Sequence, residues 1–130
     1  MLTLRLDTRS GVPTYLQIVQ QVRHALVAGV LRPGDQLPTV KEVVTQLAIN
    51  PNTVFKAYRE LERDGLVQGR PGAGTFVLRR PPGPPPGAHA VLARSLARWV
   101  VDARAAGLDD TSIEALLRDT LYATDAEAAR

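Results

Sequence analysis

A chain of 130 residues, 45% of them hydrophobic, has room for one ordinary domain, or a small domain with an appendage, around one modest core. It contains no cysteine, which excludes disulfides, a thiolate nucleophile and a cysteine-based zinc site, and no run approaches the roughly 20 apolar residues of a membrane span. The net charge of +3 is unevenly spread: residues 1–80 carry eleven Lys/Arg against six Asp/Glu, and residues 81–130 carry five against seven. A basic first part beside a slightly acidic second part points to a polyanion partner for the first part alone, or else to loose surface charge. The N-terminus lacks the charged-then-apolar pattern of a secretory signal, so the expected compartment is the cytoplasm, with no membrane partner.

Leu2, Leu4 and Leu6 alternate with Thr3, Arg5 and Asp7, which predicts a short N-terminal strand. After a polar connection from Thr8 to Pro13, a helix is expected from Thr14. It places Tyr15, Ile18, Val19, Val22, Ala25 and Leu26 on one face and Gln17, Gln20, Gln21 and His24 on the other, with its exit at Gly29. Leu31 to Asp35 is turn-rich and Gln36 to Pro38 is short and extended.

Thr39 opens a second helix, because its hydroxyl and the Glu42 carboxylate are spaced to satisfy each other's backbone amides. Val40, Val43, Val44 and Leu47 form the apolar stripe of this brief helix. Ala48 and Ile49 then connect it to Asn50 through a link of about three or four residues, as in a helix-turn-helix. Asn50 is an N-cap and Pro51 fits the first helical position, where no N–H is needed. At 100° per residue, Val54, Ala57, Tyr58 and Leu61 share one face, while Asn52, Lys56, Arg59 and Arg63 line the opposite one. Gly65 sits where a left-handed cap is expected, so this third helix should run from Pro51 to Asp64. Leu66 and Val67 start a strand, Arg70 to Gly74 form a turn, and Thr75 to Val77 return. A capped helix with one basic face, directly before a glycine-rich hairpin, has the shape of a DNA-reading device. None of the three helices is long enough to stand alone, so their apolar faces must meet in one core.

Five prolines within residues 81–86 forbid a helix and favour an extended, semi-rigid spacer; polyproline can also serve as an adaptor ligand. Beyond it, Leu92, Leu96, Trp99 and Ala103 fall on one helical face, and Gly107 ends that helix. Asp109 can cap the next, with Leu108 and Ile113 as a hydrophobic staple, and Ile113, Leu116, Leu117 and Leu121 supply its stripe. Two such helices bury too little by packing only on each other, and a second copy of the chain is the economical partner.

The segments Pro13 to Ile18, Leu31 to Thr39, Asn50 to Val54, Ala57 to Glu62, Asp64 to Leu66 and Gly74 to Val77 resemble, in order and spacing, the GntR superfamily of bacterial transcriptional regulators, and within it the YtrA-type branch. The resemblance implies a mainly α fold with a small β-hairpin, in which a winged helix-turn-helix domain is followed by a short two-helix dimerisation hairpin. The boundaries expected are 1–78 for the DNA-binding domain, 79–87 for the Pro-rich linker, 88–125 for the helical hairpin and 126–130 for a tail. It further implies a homodimeric repressor on a palindromic double-stranded DNA operator, controlling a transporter operon, with no cofactor. Any small-molecule effector would bind at the hairpin or between it and the winged domain. The runner-up is a protein-interaction adaptor built on a winged helix, marked by an apolar rather than a cationic exposed helix face.

Carried over by position, the DNA-contacting residues are Lys41, Asn50, Asn52, Thr53, Lys56, Arg59, Arg70 and Gly72. The dimer interface is expected at Leu92, Leu96, Trp99, Ala103, Ile113, Leu116, Leu117 and Leu121. The family usually has Arg where Lys41 stands, and Lys acts as a point charge, which suits a phosphate better than a base edge. In the wing, Pro71 and Ala73 replace two common cations and leave Arg70 alone. Phe55 stands at a commonly polar position, with two readings: contact with a thymine methyl, or packing on the second helix. Trp99 could line an effector pocket or belong to the core or dimer interface. His24 lies on the polar face of the first helix and His89 just after the linker, and no metal or catalytic role is assigned to either. There is no glycine-rich phosphate loop and no usefully spaced His/carboxylate arrangement, so no catalytic residues are named and no enzyme activity is expected.

Overall fold

The computed structural model describes residues 2–128 and is mainly helical, with one antiparallel hairpin. In chain order it comprises α1 (Thr14–Ala28), α2 (Val40–Leu47), α3 (Pro51–Arg63), β1 (Val67–Arg70), β2 (Gly74–Val77), α4 (Pro86–Ala105) and α5 (Asp110–Ala128). The chain divides into two units between His89 and Ala90.

The first unit is built around α3, which packs against both α1 and α2 and leads into β1. Its core joins Ile18, Val22 and Leu26 of α1, Val43 of α2, Val54, Ala57, Tyr58 and Leu61 of α3, Leu66, and Val67 and Val77 of the hairpin. The expected caps are in place. Thr39 and Glu42 form a reciprocal capping box, Asn50 Oδ1 accepts from the Asn52 amide, and Gly29 and Gly65 adopt φ of 80° and 75° past their helices. Ala48 closes α2 with φ of 53°, a left-handed conformation that an alanine adopts only when its surroundings hold it there.

Residues 2–7 do not form the expected strand. Leu4 is buried, as alternation required, but the backbone lies along α1 instead of pairing with another strand. Gln21 exchanges two hydrogen bonds with Arg5, and Gln17 exchanges two with Asp7, at 2.6–3.0 Å. Side-chain amides, which carry one donor and one acceptor arm as a peptide group does, therefore replace the ladder.

The hairpin pairs Val67 with Val77 and Arg70 with Gly74, and Gln36 adds a bridge to Phe76 on the outer edge of β2. Backbone bonds from Leu37 to Thr75 and from Val77 to Asp35, both 2.8 Å, make residues 34–37 a third edge of the wing. Gly74 has φ of 123°, and a Cβ there would lie 2.4 Å from the Gln36 amide nitrogen, which donates to the Ala73 carbonyl. The positive φ is what demands glycine, since the Gln36 amide is the far end of a flexible side chain and can swing aside.

The proline run is not free chain throughout. Pro86 opens α4, the position in a helix that needs no amide donor. The Arg80 guanidinium donates to the Val27 carbonyl at the end of α1 and to the Gly83 and Pro84 carbonyls, folding the run back on itself. In the second unit, Gly107 has φ of 103° and Leu108 N–H donates to Ala103 C=O, closing α4. Asp109 Oδ1 accepts from the Ser112 amide at 2.8 Å, capping α5 as expected. The predicted tail falls partly inside α5, which runs to Ala128; its last two residues lie outside the described residues.

Gly74→Ala is expected to destabilise the first unit by about 1 to 3 kcal/mol, read as a lowered melting temperature in calorimetry. The Ser112 amide holds the Asp109 carboxyl below its ordinary value of 3.8, so its charge stabilises the fold above that value and the contribution is lost as pH falls through the depressed folded value. The stability difference between wild type and Asp109→Ala should accordingly be largest near neutrality and shrink below pH 3.8, measured by far-ultraviolet dichroism.

Candidate nucleic-acid interface

The two faces of α3 are sharply divided. Val54, Ala57 and Leu61 are fully buried and Tyr58 nearly so, whereas Asn52, Phe55, Lys56, Arg59 and Arg63 are exposed. The buried face is locked by a polar contact as well as by apolar area. The Tyr58 hydroxyl donates to the Pro38 carbonyl at 2.6 Å, tying the middle of α3 to the entry of α2. Burial, with the Glu42 charge adding to it, pushes the Tyr58 phenol well above its ordinary value, so it stays a neutral donor.

The far end of α3 is held by the wing. Glu62 Oε1 accepts from the Gly69 amide at 3.1 Å, and Arg79 donates to the Asp64 and Gly65 carbonyls at 2.9 and 3.2 Å. Arg79 thus completes the orphan carbonyls of the helix C-terminus, where a cation is favoured. With Arg80 on the α1 carbonyl, two cations at the end of the first unit have structural duties. Arg63 pairs with Glu60 at 3.0 Å and Arg23 with Asp64 at 3.2 Å, both near the surface.

The cations that remain on α2, α3 and the wing are those predicted to contact DNA, and Arg5, Arg9 and Arg32 are exposed elsewhere in the first unit. Lys41, the second residue of α2, and Arg59 of α3 make no ion pair or hydrogen bond among the described residues. The Lys56 ammonium lies 4.0 Å from the centroid of the Tyr15 ring, a contact between α3 and α1 that restricts where Lys56 can reach. Tyr15 is therefore half-buried and serves as a platform for Lys56 as well as flanking the core. In the wing, the Arg70 guanidinium lies 4.6 Å from the Phe76 ring centroid, and Gly72 has φ of 75° at the turn. An open groove lined by Thr39, Glu62, Arg70, Gly72 and Thr75 brings the wing turn beside the cap of α2.

Of the predicted α3 residues, Asn50 is committed through its Oδ1 to the cap, leaving its NH2 arm available, and Asn52 is fully presented. Thr53 is half-buried on the flank of the exposed stripe. The platform under Lys56 and the capping roles of Arg79 and Arg80 leave no trace in periodicity, because each joins residues distant in the chain. His24 and His89 have ring centroids 5.3 Å apart, and no group of three or more His, Cys, Asp or Glu converges as a metal site among the described residues.

In the second unit, the stripes predicted to meet a second copy are largely uncovered. Leu92, Leu96, Leu116 and Leu121 are exposed, Trp99 and Leu117 half-buried, and Ala103 and Ile113 buried by their own chain beside the turn. Val91, Val101 and Tyr122 add exposed apolar area that lies outside the predicted stripes. No helix among the described residues is long and apolar enough to cross a membrane.

The family model for bacterial regulatory proteins of the gntR family matches residues 14–77, which span α1 through β2. The chain is 37% identical over 107 residues to the HTH-type transcriptional repressor YtrA of Bacillus subtilis (strain 168), covering 82% of each chain. The crystal structure of a transcriptional antiterminator from Listeria monocytogenes EGD-e is similar with a TM-score of 0.58 and 31% identity, covering 92% of this chain and 90% of that one. The structure of AraR(DBD) in complex with operator ORE1 is similar with a TM-score of 0.50 and 27% identity, over 59% of this chain and 94% of that one. The chain belongs to the gntR family of bacterial regulatory proteins, in its YtrA-type branch.

Proposed function

We propose that this DNA-binding transcriptional regulator represses its target genes as a homodimer on a palindromic operator, with α3 in the major groove and the wing beside it. The observation that carries the reading is the division of α3. One stripe is consumed by the core, and the other offers Asn52, Lys56 and Arg59 on a helix held at its middle and at its C-terminal end. Asn52, Thr53 and Lys56 supply base discrimination, because amide, hydroxyl and ammonium groups match base-edge donors and acceptors. Lys41, Asn50, Arg59, Arg70 and the backbone at Gly72 contact phosphate or sugar and set the register. The AraR(DBD)–operator complex supports DNA as the partner, and a cationic rather than apolar stripe speaks against the adaptor reading.

Dimerisation is assigned to α4 and α5, supported by the exposure of Leu92, Leu96, Leu116 and Leu121. Half-sites then lie about 34 Å, or a small multiple of it, apart. Control of a transporter operon, and an effector at the dimer hairpin, are extensions drawn from likeness to the branch. The cytoplasm is the compartment such a role requires.

Binding to fragments selected from genomic DNA should be at least about 1,000-fold tighter than to random DNA and should fall linearly with log salt; equal affinity for all fragments, or no salt dependence, refutes the reading. Lys56→Ala is expected to cost about 1 to 3 kcal/mol on the selected site and less on random DNA, measured by anisotropy. Leu96→Glu combined with Leu121→Glu should turn the full-length dimer into a folded monomer in sedimentation; a double variant that stays dimeric would remove α4 and α5 from the interface.

A further inference from the structure

Phe55 is the one large apolar side chain of α3 that the core does not employ. It is 47% exposed although α2 packs on the same helix, so packing on α2 does not account for it. At 100° per residue it stands about 40° round the helix from Arg59 and about 60° from Asn52, which puts a phenyl ring on the edge of the stripe assigned to base and phosphate contact. A phenyl ring has no donor or acceptor to offer a base edge or a phosphate. The one apolar feature that a base pair displays in the major groove is the thymine C5-methyl group.

We infer that Phe55 packs on a thymine methyl, making a T·A pair at one fixed operator position a specificity requirement of this chain. The inference rests on α3 being the major-groove element. Burying one methyl between the ring and the base is worth about fourfold in affinity per half-site. Cytosine at that position lacks the methyl, so discrimination of T from C there comes from apolar contact rather than from hydrogen bonding.

The test replaces each thymine of the selected operator in turn by deoxyuridine, which deletes the methyl and leaves the pairing edge intact. Wild-type protein should lose about fourfold per half-site at one symmetry-related position and little elsewhere. Phe55→Ser should weaken the all-thymine operator by a similar factor and lose its sensitivity at that position, while Phe55→Leu, still apolar, keeps part of it. An unchanged melting temperature for both variants is expected from the exposure of the ring. Wild-type indifference to every deoxyuridine, or a Phe55→Ser variant that keeps the same sensitivity, overturns the inference. So does a Phe55→Ser variant with unaltered affinity for all DNA, which would assign the ring to a protein surface. Absence of any sequence preference in wild type would instead overturn the DNA-reading role of α3, and this inference with it.

Discussion

The fold of the first unit depends on burying one stripe of a 13-residue helix. A helix of that length is marginal in water, so α3 persists because α1, α2 and the wing remove Val54, Ala57, Tyr58 and Leu61 from solvent. Burial of one side determines what the other can do. With Val54, Ala57, Tyr58 and Leu61 in the core, Asn52, Phe55, Lys56 and Arg59 face outward on a rigid rod whose rotation about its own axis is set by packing. A reading helix needs that rigidity, since a side chain must meet a base edge to within a fraction of an ångström.

Polar contacts then fix the rod along its length, and they use up charges that composition alone would assign to a polyanion. Tyr58 holds the middle to Pro38, Glu62 holds the first wing strand, and Arg79 holds the terminal carbonyls. On α2, α3 and the wing the basic surplus of the first eighty residues is in this way thinned to a short set: Lys41 and Arg59 without partners among the described residues, and Lys56 and Arg70 each laid over an aromatic ring, while Arg5, Arg9 and Arg32 stay exposed elsewhere in the unit. A cation on a ring gives up little of its charge and much of its freedom. Lys56 is preorganised by Tyr15, so under the proposed DNA-reading role less rotamer entropy remains to be lost on binding.

What was legible in the sequence was local and periodic. The capping box at Thr39 and Glu42, the Asn50–Pro51 start, the glycines closing α1 and α3, and the stripes of all three helices depend on spacings of three and four, and the structure places them as read. The N-terminal strand failed because alternation reports only that Leu4 is buried; it is silent on whether a strand or the amides of Gln17 and Gln21 will satisfy the backbone. The third edge of the wing at residues 34–37 is too short for any period, and the extended proline run gives way to helix at Pro86. The DNA-contact set owed as much to family resemblance as to charge, and the Tyr15 platform was invisible because it joins two helices through a contact 41 residues apart in sequence.

The most direct test of α3 as a major-groove element is chemical interference with dimethyl sulfate on the selected operator, because the reagent marks guanine N7 in the major groove and adenine N3 in the minor groove. Interference at guanine N7 in two symmetric clusters about ten base pairs apart, or a small multiple of that, is the result expected. Interference confined to adenine N3, with guanine N7 silent across the site, would contradict it.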